Sequence, residues 1–127
     1  MTTGPGTNAS TATGNELILW GAPHSLYSGK VRSYLVKKGL PFRELFPSHP
    51  RFAGTIVPAV GQMVVPVVET SDGEILQDST EIIELLEQRF PEPAMLPATP
   101  VQRCVAHLLD AWGTEGMLAT AMHYRWS

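Results

Sequence analysis

The sequence predicts an α/β protein: a small mixed sheet with helices on both faces, followed by a purely helical segment. Three observations carry this expectation. Short apolar runs closed by glycine or proline read as buried strands. A valine-rich run followed by Asp72-Gly73 reads as a hairpin. Three longer stretches repeat apolar residues at helical spacing, and the last of them follows a proline-rich break.

Taken in order, Glu16-Leu17-Ile18-Leu19-Trp20 is the first strand, stopped by Gly21-Ala22-Pro23. Ser25 to Gly39 reads as a helix, with Tyr27, Val31, Tyr34 and Leu35 at helical spacing and Gly39 as its C-terminal stop. Pro41 starts a new element, and Phe42 to Phe46 reads as the second strand. The segment 47–62 holds Pro47, Pro50, Gly54, Pro58 and Gly61, so a loop with at most one short helical turn is expected. Val64 to Glu69 is the third strand, Asp72-Gly73 the turn, and Glu74-Ile75-Leu76 the returning strand.

Asp78 to Phe90 reads as a helix. Asp78 can cap it, and Glu81 completes a capping-box pattern. Ile82, Ile83, Leu85, Leu86 and Phe90 make its apolar face. Residues 91–100 contain four prolines and read as a linker. Beyond it, Val101, Val105, Leu108, Leu109 and Trp112 form an amphipathic stripe. Gly113 and Gly116 interrupt that helix, and Met117 to Trp126 resumes it.

Composition bounds the function. The chain has 127 residues, 43% hydrophobic and 17% charged, which is too apolar for a disordered chain. A formal charge of −3 argues against a general nucleic-acid binder. One cysteine, Cys104, rules out an intramolecular disulfide and any multi-cysteine metal cage. Cys104 falls on the apolar side of its helix, so it reads as core. The four histidines lack metal-ligand spacing, and no metal is expected. No apolar run approaches the ~18 residues of a membrane span. Residues 1–15 lack the basic start and apolar run of a secretory signal and read as a disordered leader. A single thiol and no signal fit a cytoplasmic location.

Three segments together resemble the N-terminal domain of the cytosolic glutathione transferases. Ser25-Leu26-Tyr27-Ser28-Gly29-Lys30-Val31-Arg32 is similar to the first-helix motif of the serine-type classes, such as theta, zeta and tau. Val65-Pro66-Val67-Val68 is similar to the family's Val-Pro strand. Gln77-Asp78-Ser79-Thr80-Glu81-Ile82-Ile83 is similar to the acidic-Ser motif that opens its third helix. The match extends over about residues 16–127. It implies a thioredoxin-like βαβ-ββα domain over 16–90, the linker at 91–100, and the start of an all-helical domain at 101–127, cut short after one or two helices.

The resemblance also implies chemistry. Glutathione would be the co-substrate, and its thiol, with an unperturbed pKa of ~8.5, needs help to ionise. Ser25 would be the catalytic residue, its hydroxyl donating to the sulfur at a helix N-terminus. Its alternative role is plain helix capping. Ser28 and Tyr27 are its rivals, with core packing the ordinary role for Tyr27. Val65 and a cis Pro66 would pair with the cysteinyl backbone. The alternative is a trans proline on an edge strand. Asp78 would take the γ-glutamyl ammonium, and Ser79 with the helix N–H groups its carboxylate. Capping alone also accounts for both residues.

Lys30, Arg32, Lys37 and Lys38 read as a solvated basic face. Arg51 is the one basic residue in 47–62 available for the glycyl carboxylate, and Val64 stands where many members place a polar group. The expected function is glutathione binding and attack of its thiol on an electrophilic small molecule, as in detoxification, from a possible homodimer. The alternative is a non-catalytic transferase-like interaction module. With the helical domain cut short, weak conjugation and self-association through the exposed stripe are expected.

Overall fold

The computed structural model describes residues 16–126, so the expected leader at 1–15 lies outside the described residues. Strand β1 (Leu17–Trp20) leads through helix α1 (Leu26–Lys38) to β2 (Phe42–Leu45). A π turn (Phe52–Ile56) continues into the short helix α2 (Val57–Val60). The hairpin strands β3 (Val67–Glu69) and β4 (Ile75–Gln77) follow, then α3 (Ser79–Arg89). The chain ends in α4 (Pro100–Ala111), a second π turn (Trp112–Gly116) and α5 (Leu118–Trp126). No helix among the described residues is long and apolar enough to cross a membrane.

The sheet order is β2-β1-β3-β4. β1 runs parallel to β2 and antiparallel to β3, and β3 runs antiparallel to β4. Successive strand side chains point to opposite faces, and β1 divides the core on that rule. Leu17 and Leu19 join Val31, Leu35, Val68, Leu76, Ile82 and Leu86 in one buried cluster, which packs α1 and α3 on the sheet. Ile18 and Trp20 belong to the opposite cluster with Phe52, Ile56 and Val67. This is the expected mixed sheet with helices on both faces.

Local chemistry explains most element ends. Gly39 terminates α1 at φ 73°, a left-handed conformation that costs glycine little. Gly73 takes φ 85° in the hairpin turn. The third strand is shorter than expected, Val67–Glu69 instead of Val64–Glu69, and Pro66 has no N–H to offer the ladder. The Val65–Pro66 bond is cis, and Glu92–Pro93, unforeseen, is cis as well. The segment read as mostly loop, 47–62, instead carries nine helical residues from Phe52 to Val60. Burial of Phe52 and Ile56 against Trp20 outweighs the local breakers.

Two readings are corrected. Cys104 is exposed, not core. The stripe Val101, Val105, Leu108, Leu109 and Trp112 is exposed along its length. α4 instead meets α1 and α3 through polar groups. Lys30 Nζ and Thr80 Oγ1 both donate to Asp110, each at 2.8 Å, and Glu84 pairs with Arg103 and His107. The basic face of α1 is mostly not solvated either. Lys30 is held by Asp110. Arg32 makes a two-pronged bond to Glu44. Lys38 is buried against Glu87. Lys37 alone of the four is exposed, as expected.

Candidate functional site

A cavity of about 360 Å³ opens where the β3 approach, the start of α3, α1 and the second π turn converge. Val65, Pro66, Asp78 and Ser79, the four residues expected to contact glutathione, all line it. Gln62, Val64, Gln77 and Thr80 stand beside them. Tyr27 comes from α1, and Thr114 and Glu115 come from the π turn. A second, more apolar hollow of about 470 Å³ shares Val64 and Val65 and adds Pro23, His24, Phe46, Phe52 and Met63.

Asp78 heads α3 with φ 68° and is the one non-glycine residue with positive φ among the described residues. Aspartate tolerates this region better than most side chains, yet such a backbone costs about 1–3 kcal/mol. Its Oδ1 accepts from the N–H groups of Thr80 and Glu81, so the Asp78 half of the expected capping box is formed. Those two helix N–H groups are therefore taken by the cap and not open to a ligand carboxylate. Ser79, the first helical residue, still brings an orphan N–H and a hydroxyl to the cavity wall. Asp78 Oδ2 remains outside the cap.

Ser25 is the N-cap of α1. Its hydroxyl oxygen accepts from the Ser28 N–H at 3.2 Å, which leaves the hydroxyl proton free to donate elsewhere. Capping and thiol contact are thus compatible in this one group. Ser25 is half-buried and lines neither hollow; its chain neighbour His24 lines the second. The rival Ser28 is fully buried, and its Oγ accepts from the Ala22 N–H at 3.2 Å, so it is spent inside the fold. Tyr27 departs from the core role: it is half-buried and its hydroxyl donates to the Thr114 carbonyl at 3.0 Å.

The loop before Ser25 is braced on both sides. Arg32 reaches the Ala22 carbonyl while bonded to Glu44. A Cβ on Gly21 would come within 2.8 Å of Glu44 Oε1 and 3.2 Å of Ser28 Cβ, so a larger residue here would have to displace the Glu44 carboxylate that holds Arg32. Beside the cavity, burial pushes the Asp110 carboxyl up, but the Lys30 ammonium and Thr80 hydroxyl outweigh it and hold it below the usual range. Arg51 is paired with Glu69, lies over the Trp20 ring and lines neither hollow.

Thr114 and Glu115 had no local signal in the sequence beyond the Gly113 and Gly116 break. Gln77 sat inside the quoted motif without an assigned role. No group of three or more His, Cys, Asp or Glu side chains that could hold a metal occurs among the described residues.

This fold and site define a thioredoxin-like domain followed by a helical region. Residues 19–94, more than half of the chain, match the family model for the glutathione S-transferase N-terminal domain. The chain belongs to the glutathione S-transferase family. It is 36% identical over 84 residues to a maleylacetoacetate isomerase of Pseudomonas aeruginosa, covering 62% of this chain and 40% of that protein. A glutathione S-transferase of Methylobacterium radiotolerans, solved with glutathione sulfonate, superposes with a TM-score of 0.61 at 32% identity, over 72% of this chain and 43% of that one. A maleylacetoacetate isomerase of Anaeromyxobacter dehalogenans, solved with dicarboxyethyl glutathione and citrate in the active site, gives a TM-score of 0.62 at 30% identity, over 81% and 47%. The chain spans less than half the length of each of these relatives.

Proposed function

We propose that this protein binds glutathione in the 360 Å³ cavity and activates its thiol for attack on an electrophilic small molecule. The observation that carries the reading is the convergence of Val65, Pro66, Asp78 and Ser79 on one cavity. Related structures with glutathione derivatives bound support the same ligand class.

In this reading the Val65 backbone, ahead of the β3 ladder, pairs with the cysteinyl part of the ligand as an added strand would. Asp78 Oδ2 receives the γ-glutamyl ammonium, and the Ser79 hydroxyl and N–H receive its carboxylate. Ser25 lies outside this cavity, so the sulfur would have to reach past Val65, which the second hollow shares, for the Ser25 hydroxyl to donate a hydrogen bond to it and favour the thiolate. The thiol proton passes to solvent, and the sulfur's electron pair forms the new bond to the electrophilic carbon. Either a leaving group departs as its anion, or a π bond of the electrophile breaks and its electron pair takes up a proton from solvent. The unit that performs this step spans residues 16–90, joined by 91–100 to the helical segment.

Retention of the full chain on immobilised glutathione, with elution by free glutathione, tests the binding half. A thiol-transfer assay with a generic electrophile tests the chemical half. Retention without transfer favours the non-catalytic module, and failure of retention overturns the glutathione reading.

A further inference from the structure

Glu44 sits in β2, and no motif in the sequence assigns it a role. A path of hydrogen bonds nevertheless leads from its carboxylate to the backbone of Ser25. We propose that Glu44 is a positioning residue for Ser25, acting through the Arg32 guanidinium and the Ala22 carbonyl. The inference rests on the reading of Ser25 as the group that meets the ligand sulfur.

The path starts on the sheet. Glu44 is in register with Leu19 of β1, and just beyond it the Gly21 N–H donates to the Leu45 carbonyl at 3.0 Å. Arg32 of α1 forms a fork on the Glu44 carboxylate, Nε to Oε2 at 2.8 Å and Nη2 to Oε1 at 2.5 Å. The same Nη2 donates to the Ala22 carbonyl at 3.4 Å. That carbonyl also accepts from the Ser25 N–H at 3.1 Å. The Ala22 N–H donates to the buried Ser28 Oγ at 3.2 Å. Ala22 is itself buried, so its N–H and carbonyl depend on these protein partners.

Each link has a chemical reason. A guanidinium carries its N–H groups in one rigid plane, so Arg32 holds a carboxylate and a carbonyl at once, whereas an ammonium cannot form that fork. Val65, Pro66, Asp78 and Ser79 stand on other elements and line the cavity without entering the path. Glu44 therefore acts on where the Ser25 hydroxyl stands and not on how the rest of the ligand is held. The sign of its charge separates this role from a direct field effect. A nearby carboxylate by itself disfavours a thiolate, so a Glu44 that promotes ionisation does so through the placement of Ser25.

The test uses the full chain, glutathione and a generic electrophile, with the thiolate absorbance of bound glutathione followed against pH. Glu44→Gln keeps the size of the side chain and one oxygen acceptor but loses the fork. It is expected to lower kcat about tenfold, to leave the KM for glutathione within about twofold, and to raise the pKa of the bound thiol. Arg32→Lys keeps the charge and is expected to behave in the same way. In a Ser25→Ala background, Glu44→Gln is expected to change nothing further. A thiol pKa that falls or stays constant in Glu44→Gln, or a full additional loss in the Ser25→Ala background, overturns the role of Glu44 while the glutathione reading stands. Circular dichroism checks the fold of each variant, and Arg32→Lys carries the same readings if Glu44→Gln does not fold. No binding of glutathione by the unaltered chain overturns both.

Discussion

Replacing Lys38 by methionine probes the one fully buried ammonium of the described residues. Lys38 Nζ donates to Glu87 Oε1 at 2.5 Å and to the Pro93 carbonyl at 2.8 Å, with its side chain wholly out of solvent. Tyr34 donates to the same Oε1 at 2.6 Å, and the Met95 N–H donates to Oε2 at 3.1 Å. The pair thus ties α1 to α3 and to the start of the linker. Removing one member of a buried pair costs about 3–5 kcal/mol, because the other charge is stranded. Here two neutral donors remain on Glu87, which puts Lys38→Met near the lower limit, about 3 kcal/mol, or roughly 10 °C in Tm.

The pH dependence gives the sharper signature. Burial pushes the Glu87 carboxyl up, but the Lys38 and Tyr34 hydrogen bonds and the Met95 N–H outweigh it, so its pKa lies below the ordinary range. A depressed folded pKa contributes stability that is present above the unfolded pKa and lost as pH falls through the folded one. Without Lys38 the burial effect prevails, the pKa rises above its ordinary value, and protonation relieves the stranded charge. The gap between the two proteins should therefore narrow between pH 7 and about pH 4. Urea unfolding followed by tryptophan fluorescence measures it. A cost below about 1 kcal/mol at pH 7, or a gap that ignores pH, would refute the argument.

Three further outcomes are expected. Ser25→Ala should cost about 1 kcal/mol through the lost cap, and should raise the pKa of bound glutathione while cutting thiol transfer by ~10²–10³; thiolate absorbance that titrates unchanged would leave Ser25 as a cap alone. Asp78→Asn keeps the acceptor for Thr80 and Glu81 and tolerates φ 68°, so stability should stay within about 0.5 kcal/mol while glutathione affinity drops about tenfold. Undiminished affinity in calorimetry would remove Asp78 from the binding group. Cys104 should react with an aromatic disulfide reagent in the native protein, one thiol per chain, and a need for denaturant would contradict its exposed position.

Much of the candidate site was legible because its parts are short-range features. Val65-Pro66 and Asp78-Ser79 are adjacent pairs with recognisable chemistry, and the sheet order brings them to one cavity. Ser25 was legible as a cap, but its relation to the cavity was not, since it depends on how the β1–α1 loop is braced by Arg32 and Glu44. Arg51 was legible as the basic residue of 47–62, but its pairing with Glu69, 18 residues on, was not.

The sequence by itself determined the elements and their faces. Strand alternation separates Leu17 and Leu19 from Ile18 and Trp20, Gly39 and Gly73 mark the turns, and Ser25 and Asp78 cap the helices, all through residues within a few positions of one another. Tertiary structure decided what each polar side chain does. Lys37 and Lys38 are neighbours of the same chemistry, yet one is exposed and the other buried, because Glu87 meets Lys38 from 49 residues away. Thr114 and Glu115 reach the cavity because Tyr27, 87 residues before Thr114, binds its carbonyl. Caps and periodicities arise from neighbours along the chain, whereas desolvation and ion pairing depend on which distant groups folding brings within a few ångströms.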